Sequence, residues 1–272
     1  MAIVLSDRYS DAVVAKLRKE LVLKDGVIFN TDYTGSPKAG SVKVRNPGAI
    51  TVQDYDLDDG ATLARGTSSW ITISIDKDKA VNVLIDGYDA SAVPDGIVAD
   101  ALDEAGFKLA ETIDADGAAE LATSGTAMSS TTALTASSAY STLVTARATL
   151  TKAGVPNDGR RYAILDPDVL SLLLEDDTHI IRASDLGDEF VQTGAVGMCA
   201  GFRIFESANL PTKTEFIAGH PKYATRAQEF AVPVSLNDLK DGIHIGASAV
   251  QGRYVYAHKV LVPAAILVKK KQ

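Results

Sequence analysis

The sequence predicts a mixed α+β fold, on three observations. Apolar and polar residues alternate over much of 41–85, the period of half-buried strands. The period then lengthens to that of an amphipathic helix over 94–114. Beyond 154, glycines separate short apolar runs that read as strands between turns, with a helical segment among them.

The first forty residues read as an arm. DRYSDAVVAKLRKELV places Tyr9, Val13, Leu17 and Leu21 on one helical face, and NTDYTGSPKAGS behind it reads as a loose tether. Next come Val42 and Val44, then Ile50 and Val52, alternating with polar residues. Downstream, Ile71, Ile73 and Ile75, and again Val81, Val83 and Ile85, do the same. Two such runs around a polar, glycine-containing segment predict a long hairpin over 41–87. A ribbon of this kind buries little against itself, so it leans on something else, and a second copy of the chain would serve.

The far end of that hairpin carries DYDLDDG, with Asp54, Asp56 and Asp58 at alternating positions. A helix-loop-helix calcium loop needs oxygen ligands so spaced, a glycine at the sharp turn and a distal bidentate glutamate. Counting from Asp54, the turn position is Asp59 and the distal position is Arg65, a cation where an anion is required. The stretch therefore reads as a solvated charged loop.

Pro94 suits a first helical turn and Asp95 the positive end of the helix dipole. Val98, Leu102, Ala105, Leu109 and Ile113 then recur at helical spacing, which predicts one long helix over Pro94 to about Asp114. A small-residue linker, ELATSGTAMSSTTALTASS, leads to a second helix with Tyr140, Leu143, Val144 and Leu150 that ends at Gly154 and Pro156. RRYAIL reads as a strand, Asp166 as an N-cap, Pro167 as a first turn, and Val169, Leu170, Leu173 and Leu174 as a buried helix face. FRIFES, TEFIAGH and GIHIGAS read as strands, and GRYVYAHKVLVPAAILVKK as a strand or strand pair broken at Pro263.

Composition excludes several functions. With 272 residues, 46% hydrophobic and 23% charged, the chain is an ordinary globular protein with room for two subdomains. The apolar run Val260 to Val268 falls short of the ~20 residues of a membrane helix, and MAIVLSDRYSD lacks the basic start and apolar core of a signal peptide. Synthesis inside the cell and no membrane partner are the expectation. The single Cys199, in GMCAGF, reads as a buried thiol. A net charge of −8 argues against a dedicated nucleic-acid reader, leaving weak and sequence-independent contact with DNA. Lys269, Lys270 and Lys271 make the one basic run, read as a solvated tail.

Chemistry has no foothold. GxGxxG, GxxxxGK[ST], GxSxG, HExxH and CxxC do not occur. His179, His220, His244 and His258 are scattered, and His244 and His258 fall in apparent strands. No catalytic, cofactor-binding or metal site is expected. A hydrolase with an unorthodox site and a calcium-dependent adhesive module are the readings this weakens.

The ordered segments carry more. IDKDKAVNVLIDGYDAS, ALDEAGFKLAETID, GRRYAILDPDVLSLLLEDD, ASDLGDEFVQTGAVGMCAGFRIFESANLP, FIAGHPKYATRAQEF and LKDGIHIGASAVQGRYVYAHKVLVPAAILV follow one another in an order that resembles the major capsid proteins of tailed bacteriophages. The most specific pieces are the GxxGxxxGF segment with its SANLP, and KVLVPAAIL at the close. The resemblance implies the capsid fold shared by tailed phages, herpesvirus capsid floors and encapsulins. Its parts would be an N-terminal arm at 1–40, an extended hairpin loop at 41–87, a peripheral domain with a spine helix at 88–174, an axial domain at 175–226, and closing strands at 227–272 returning to the peripheral domain. It implies a structural, non-catalytic protein of the virion that forms pentamers and hexamers of itself around double-stranded DNA, with a scaffolding protein and a portal as partners, assembled in the host cytoplasm. An encapsulin-type compartment shell is the alternative within the same fold.

Some such capsids link a loop lysine to a neighbour's asparagine. ATLARGTSS has no lysine, and Lys77 and Lys79 fall on the expected return strand, so the link is not carried over. The chain starts almost at the arm, so the resemblance implies a separate scaffold or a removed leader. The expected contacts between subunits are Asp54, Asp56, Asp58, Asp59 and Arg65 at the hairpin tip and Tyr9, Val13 and Leu17 on the arm, with Arg160, Arg161 and Lys269 to Lys271 as cations opposite the tip.

Overall fold

The computed structural model describes residues 18–33, 40–48, 50–58, 60, 63, 65–87, 97–175, 181–182, 196–240 and 242–272. Tyr9, Val13, Leu17 and Asp59 lie outside the described residues.

Strands β1 (Ser41–Pro47) and β2 (Ser68–Ser74) pair antiparallel as a ribbon of their own. Val42 stands opposite Ile73 and Val44 opposite Ile71, as the alternation requires. The ladder is shorter than expected: β1 stops at Pro47, whose missing N–H cannot serve a ladder, and Ile50 and Val52 lie beyond it. Strand β3 (Lys77–Ile85), expected as part of the hairpin's return, instead pairs with β11 (Ser248–Val260), which pairs in turn with β10 (Ala224–Asp238). Lys77 and Lys79 therefore belong to this three-stranded sheet.

Helix α1 runs Ile97–Ser124, well past Asp114. Its first half lays Ala105, with Val98, Ala101 and Leu102, on Ile85 and Val250 of the three-stranded sheet. Its second half buries Ala118, Leu121 and Ala122. Gly117 precedes them, and a Cβ there would come within 3.0 Å of Leu23 and 3.1 Å of Phe29. What reads as the start of a linker is the close-packing end of the helix.

The second half of α1 lies on a seven-stranded mixed sheet in the order β4-β12-β9-β5-β8-β7-β6. Its strands are β4 (Thr126–Ala127), β5 (Tyr162–Leu165), β6 (Ile181–Arg182), β7 (Gly197–Cys199), β8 (Phe202–Glu206), β9 (Thr214–Gly219) and β12 (Ile266–Lys270). One face, with Ala163, Leu165, Phe216, Ala218 and Leu267, is covered by α2 (Ala136–Lys152) and α3 (Pro167–Leu174). The other, with Tyr162, Ile164, Ile217, Ile266 and Val268, is covered by α1 and by the arm's Val22, Leu23, Ile28 and Phe29. Thr135 opens α2, donating its backbone N–H to Ser138 Oγ, and Gly154 closes it at φ +80°. Asp166 does precede α3, but its side chain makes no capping bond, and burial raises its pKa.

Other expectations change. Arg18–Val22, expected as the end of an arm helix, is not helical. It is drawn along α1 instead, with Leu23 N–H donating to Asp114 at 2.8 Å and Arg18 paired with Asp103 at 2.6 Å. GIHIGAS is mostly the turn joining β10 to β11, with Gly242 and Gly246 at positive φ, so His244 is on a turn. Sheet membership also cuts across the boundary expected at 174/175, since β5, α2 and α3 share one core with β7 to β9. The closing strands divide, β11 to one sheet and β12 to the other.

Phe29 pins the arm root. It is fully buried, stacks tilted on His258 at 4.9 Å and lies under the Arg226 guanidinium at 5.2 Å. Phe29→Ala should cost ~3–5 kcal/mol of stability by urea unfolding; a loss below about 1 kcal/mol would mean that the root is not part of the core.

Candidate assembly interface

The root of the ribbon is anchored. Ile73 is buried on Ala227 and Ala257 of the three-stranded sheet, with Val42, Val44 and Ile75 around it. Thr72 and Ser74 line a cavity of about 320 Å³ shared with Asp116 and Glu120 of α1 and with His258.

The outer part is not anchored. Ile50, Val52, Leu57 and Leu63 are 88%, 92%, 92% and 99% exposed, and Tyr55 is 74% exposed. Isolated exposed apolar residues are normal, but a cluster of this size marks a surface that meets a partner. Asp54, Asp56, Asp58 and Arg65 are exposed on the same segment, as expected of a solvated tip. The acidic stretch folds as a tight turn: Gly60 N–H donates to Asp56 O at 2.9 Å, and Asp58 N–H donates to Asp56 Oδ1 at 2.7 Å. Gly60, at φ +69°, takes the left-handed position the turn requires. One carboxylate thus serves the backbone while the apolar side chains between the acids face solvent.

Two of the expected cationic partners are internal. Arg161 is fully buried, its guanidinium donating to the carbonyls of Pro156 and Val155 and to Thr151 Oγ1. Lys269, 1% exposed, donates to the carbonyls of Ser130 and Thr132 at 2.7 Å each and lies 3.9 Å from Glu215. The basic run is not a solvated tail but the end of β12, and Lys269 ties down the small-residue linker before α2. Arg160 is exposed and remains available, as does Lys270.

What sequence reasoning missed is a groove along α1. Gly106, Leu109, Ala110 and Ile113 form its floor, Ala231 to Val234 and Tyr254 one wall, enclosing about 380 Å³. An adjoining cavity of about 300 Å³ shares Ala110, Ile113 and Tyr254 and is closed on the other side by Leu21, Leu23 and Lys24 of the arm. The signal was present in part: Gly106 and Ala110 interrupt the apolar face of α1 with small residues at helical spacing.

The other titratable groups are structural. Cys199 is buried and its thiol is pushed up to about 11 by desolvation. His220 is buried with Nε2 at 3.1 Å from Asp158. His258 Nε2 accepts from Arg226 Nε at 2.9 Å, which leaves the ring neutral.

The comparisons agree with this geometry. The family model described as phage capsid protein matches residues 86–268. Among solved structures, a chain of Mycobacterium phage Che8 is 25% identical with a TM-score of 0.80, covering 97% of this chain and 96% of that one. The capsid structure of the cyanophage P-SCSP1u gives 18% identity and a TM-score of 0.77, covering 98% of this chain and 92% of that one. The bacteriophage PhiM1 mature capsid gives 13% identity and 0.70, covering 100% and 92%. No curated protein sequence matches.

His258 makes the root sensitive to acid. Burial, then the charges of Arg226 and Lys77, lower its pKa from the ordinary 6.5 to about 3. The unfolded chain takes up that proton near pH 6.5 and the folded chain does not, so stability is complete above pH 6.5 and falls as pH drops toward 3. The slope approaches about 1.4 kcal/mol per pH unit for this one proton. His258→Gln should flatten the dependence of the urea midpoint between pH 6.5 and 5, above the range of ordinary carboxylates; an unchanged slope would remove His258 as its source.

Proposed function

The chain belongs to the phage capsid protein family, and from that premise we propose that its hairpin tip is the element by which one copy holds the next in an icosahedral shell around double-stranded DNA. It is a structural, non-enzymatic major capsid protein of the virion, and its partner is itself. The observation that carries the reading of the tip is its exposure: Ile50, Val52, Leu57 and Leu63 are without cover and lie close together on one segment.

Pentamers and hexamers follow as the repeating units. The seven-stranded sheet with α2 and α3 is the axial body that meets its copies around the five-fold and quasi-six-fold axes; α1 with the three-stranded sheet is the peripheral body. This division replaces the linear one because it follows the cores. The arm's Tyr9, Val13 and Leu17 contact a neighbour or the subunit's own α1. A scaffolding protein and a portal complete assembly in the host cytoplasm, and with a charge of −8 the shell holds DNA through weak, sequence-independent contacts. The family match favours this reading over an encapsulin compartment or a hydrolase.

Electron microscopy of the purified chain, alone and with a scaffold, should show shells or capsomer rings. Sedimentation that finds only monomer across protein and salt concentrations would contradict self-assembly. Changing Asp56, Asp58 and Asp59 together to lysine should leave the monomer's melting nearly unchanged, because each exposed carboxylate contributes at most ~1 kcal/mol. Assembly should fail or become strongly salt-dependent. Normal assembly of the triple variant would separate these carboxylates from the contact.

A further inference from the structure

The end of the seven-stranded sheet at which β5 and β8 begin and β9 and α2 finish is ringed by cations, and we infer that this end is the surface on which the shell holds phosphates of the enclosed double-stranded DNA. The inference rests on the shell reading above and deepens it by naming the residues that meet the DNA.

Three observations carry it. First, cations gather here on a chain with 35 acidic residues against 27 basic ones. Arg147 and Lys152 lie on the last two turns of α2, Arg160 just before β5, Arg203 on β8 and Lys222 just past β9. Strand pairing brings these positions to one end, since Tyr162 of β5 stands beside Arg203 on one side and Gly219 on the other. Arg147, Lys152, Arg160 and Lys222 are exposed. Arg147 lies over the turn joining β7 to β8, where a Cβ on Gly201 would come within 3.2 Å of its guanidinium carbon.

Second, the cations crowd one another. Arg161 spends its donors on backbone carbonyls and Thr151, yet burial, and then the charge of Arg147, lower its pKa. The acid in their midst, Asp158, is engaged: it accepts the Arg160 N–H at 3.0 Å and faces His220 Nε2 at 3.1 Å. Arg203 directs its Nε–H to the Gly159 carbonyl at 2.9 Å, an uncharged partner. An anion from outside the subunit relieves this crowding.

Third, the surface suits a phosphate backbone better than a protein. Among the described residues, no exposed large apolar side chain falls on 145–161, 199–203 or 220–223. A protein partner draws affinity from buried apolar anchors, whereas phosphates need only charge. Arg160 and Lys222 line a cavity of about 470 Å³ together with Asp32 and Asp158. The two carboxylates keep an anion off its floor, so phosphates are held by the exposed cations, with no pocket to read a base. That is the pattern of a contact that positions DNA without regard to sequence. It also lets an acidic shell touch a polyanion at one place while its net charge of −8 keeps the contact weak.

Lysine acetylation of assembled particles tests it. Lys152 and Lys222 should react several-fold more slowly in DNA-filled particles than in particles emptied of DNA, whereas Lys213, exposed at the other end of β9, should react alike in both. Equal reactivity of Lys152 and Lys222 in filled and empty particles overturns the inference. So does protection in both, which would mean that a neighbouring copy covers the surface, and so does protection that extends equally to Lys213. Dissociated subunits give a second reading. Their binding to a mixed-sequence duplex, followed against salt, should lose ~0.9 of log–log slope for each cation removed from a phosphate. Lys152→Gln/Lys222→Gln should therefore lower the slope by about 1.8 without changing the subunit's melting. Should that variant melt early, Arg160→Gln alone should lower it by about 0.9. An unchanged slope in the variant that keeps its melting overturns the inference. Subunits that bind DNA through these cations but form neither shells nor rings would sink the shell reading and leave the basic surface, an outcome distinct from shells whose DNA leaves these lysines uncovered.

Discussion

The Asp114 carboxylate, buried near the middle of α1, ties the arm root and the seven-stranded sheet to the helix at one point. One oxygen accepts the Leu23 N–H at 2.8 Å and the other the Asn209 amide at 3.0 Å. A carboxylate out of water is costly unless its lone pairs are used, so both partners must be in place for the helix to lie where it does. The arm root is thereby fastened to one side of the helix and the SANLP turn of the seven-stranded sheet to another. Past this point α1 buries its apolar face on the seven-stranded sheet, while Asp116 still accepts from the Tyr256 hydroxyl of the three-stranded one at 2.8 Å; before it the buried face lies on the three-stranded sheet. At 1.5 Å per residue the helix is about 40 Å long, enough to serve two cores in series. The hairpin and the groove are arranged around that one rod, the first rooted near its far end and the second laid open along its beginning.

Much of this was legible in residue order. Period-two alternation marked Val42, Val44, Ile71 and Ile73 as strand residues, which the structure pairs with one another, because a half-buried ladder leaves its pattern in the chain. Gly154, Pro167 and Pro263 punctuated α2, α3 and the last two strands as their backbone chemistry demands. The failures share a physical cause, which is that tertiary partners change what a residue means. The helix looks finished near Asp114 until Leu23 and Phe29 are seen packed beside Gly117. Lys269 looks like tail charge until three backbone and side-chain oxygens, two from the linker carbonyls, surround its ammonium. The alternation of 77–85 is as good as that of 71–75, and only pairing with β11 separates it from the hairpin. The candidate site divides in the same way. Its tip was visible as acids on a turn, whereas its groove is assembled from residues 21–24, 106–113 and 231–254 and has no linear signature.

The energetics suit a shell. Covering a large apolar side chain contributes ~1.5–3 kcal/mol, but association must first offset lost translational and rotational freedom of ~4–15 kcal/mol. A few tip residues covered by a neighbour would therefore give a weak contact between two free subunits. In a closed array the same contact recurs at every copy, and each added subunit engages several at once. Weak single contacts also let a misplaced subunit leave before the shell closes around it. Exposed acids at such a contact would add little affinity each, and would act on register and on the salt dependence of encounter. A subunit built this way is held together by its sheets and leaves the apolar side chains of its hairpin tip uncovered, which is what the proposed contact between copies would cover.

Hydrogen exchange measured on the dissociated subunit and on the assembled particle tests this most directly. Fast exchange of the tip amides over 50–66 is expected in the free subunit, with strong protection there on assembly. Tip amides that exchange equally fast in both states would contradict it, since the tip would then be as uncovered in the shell as it is in the single subunit.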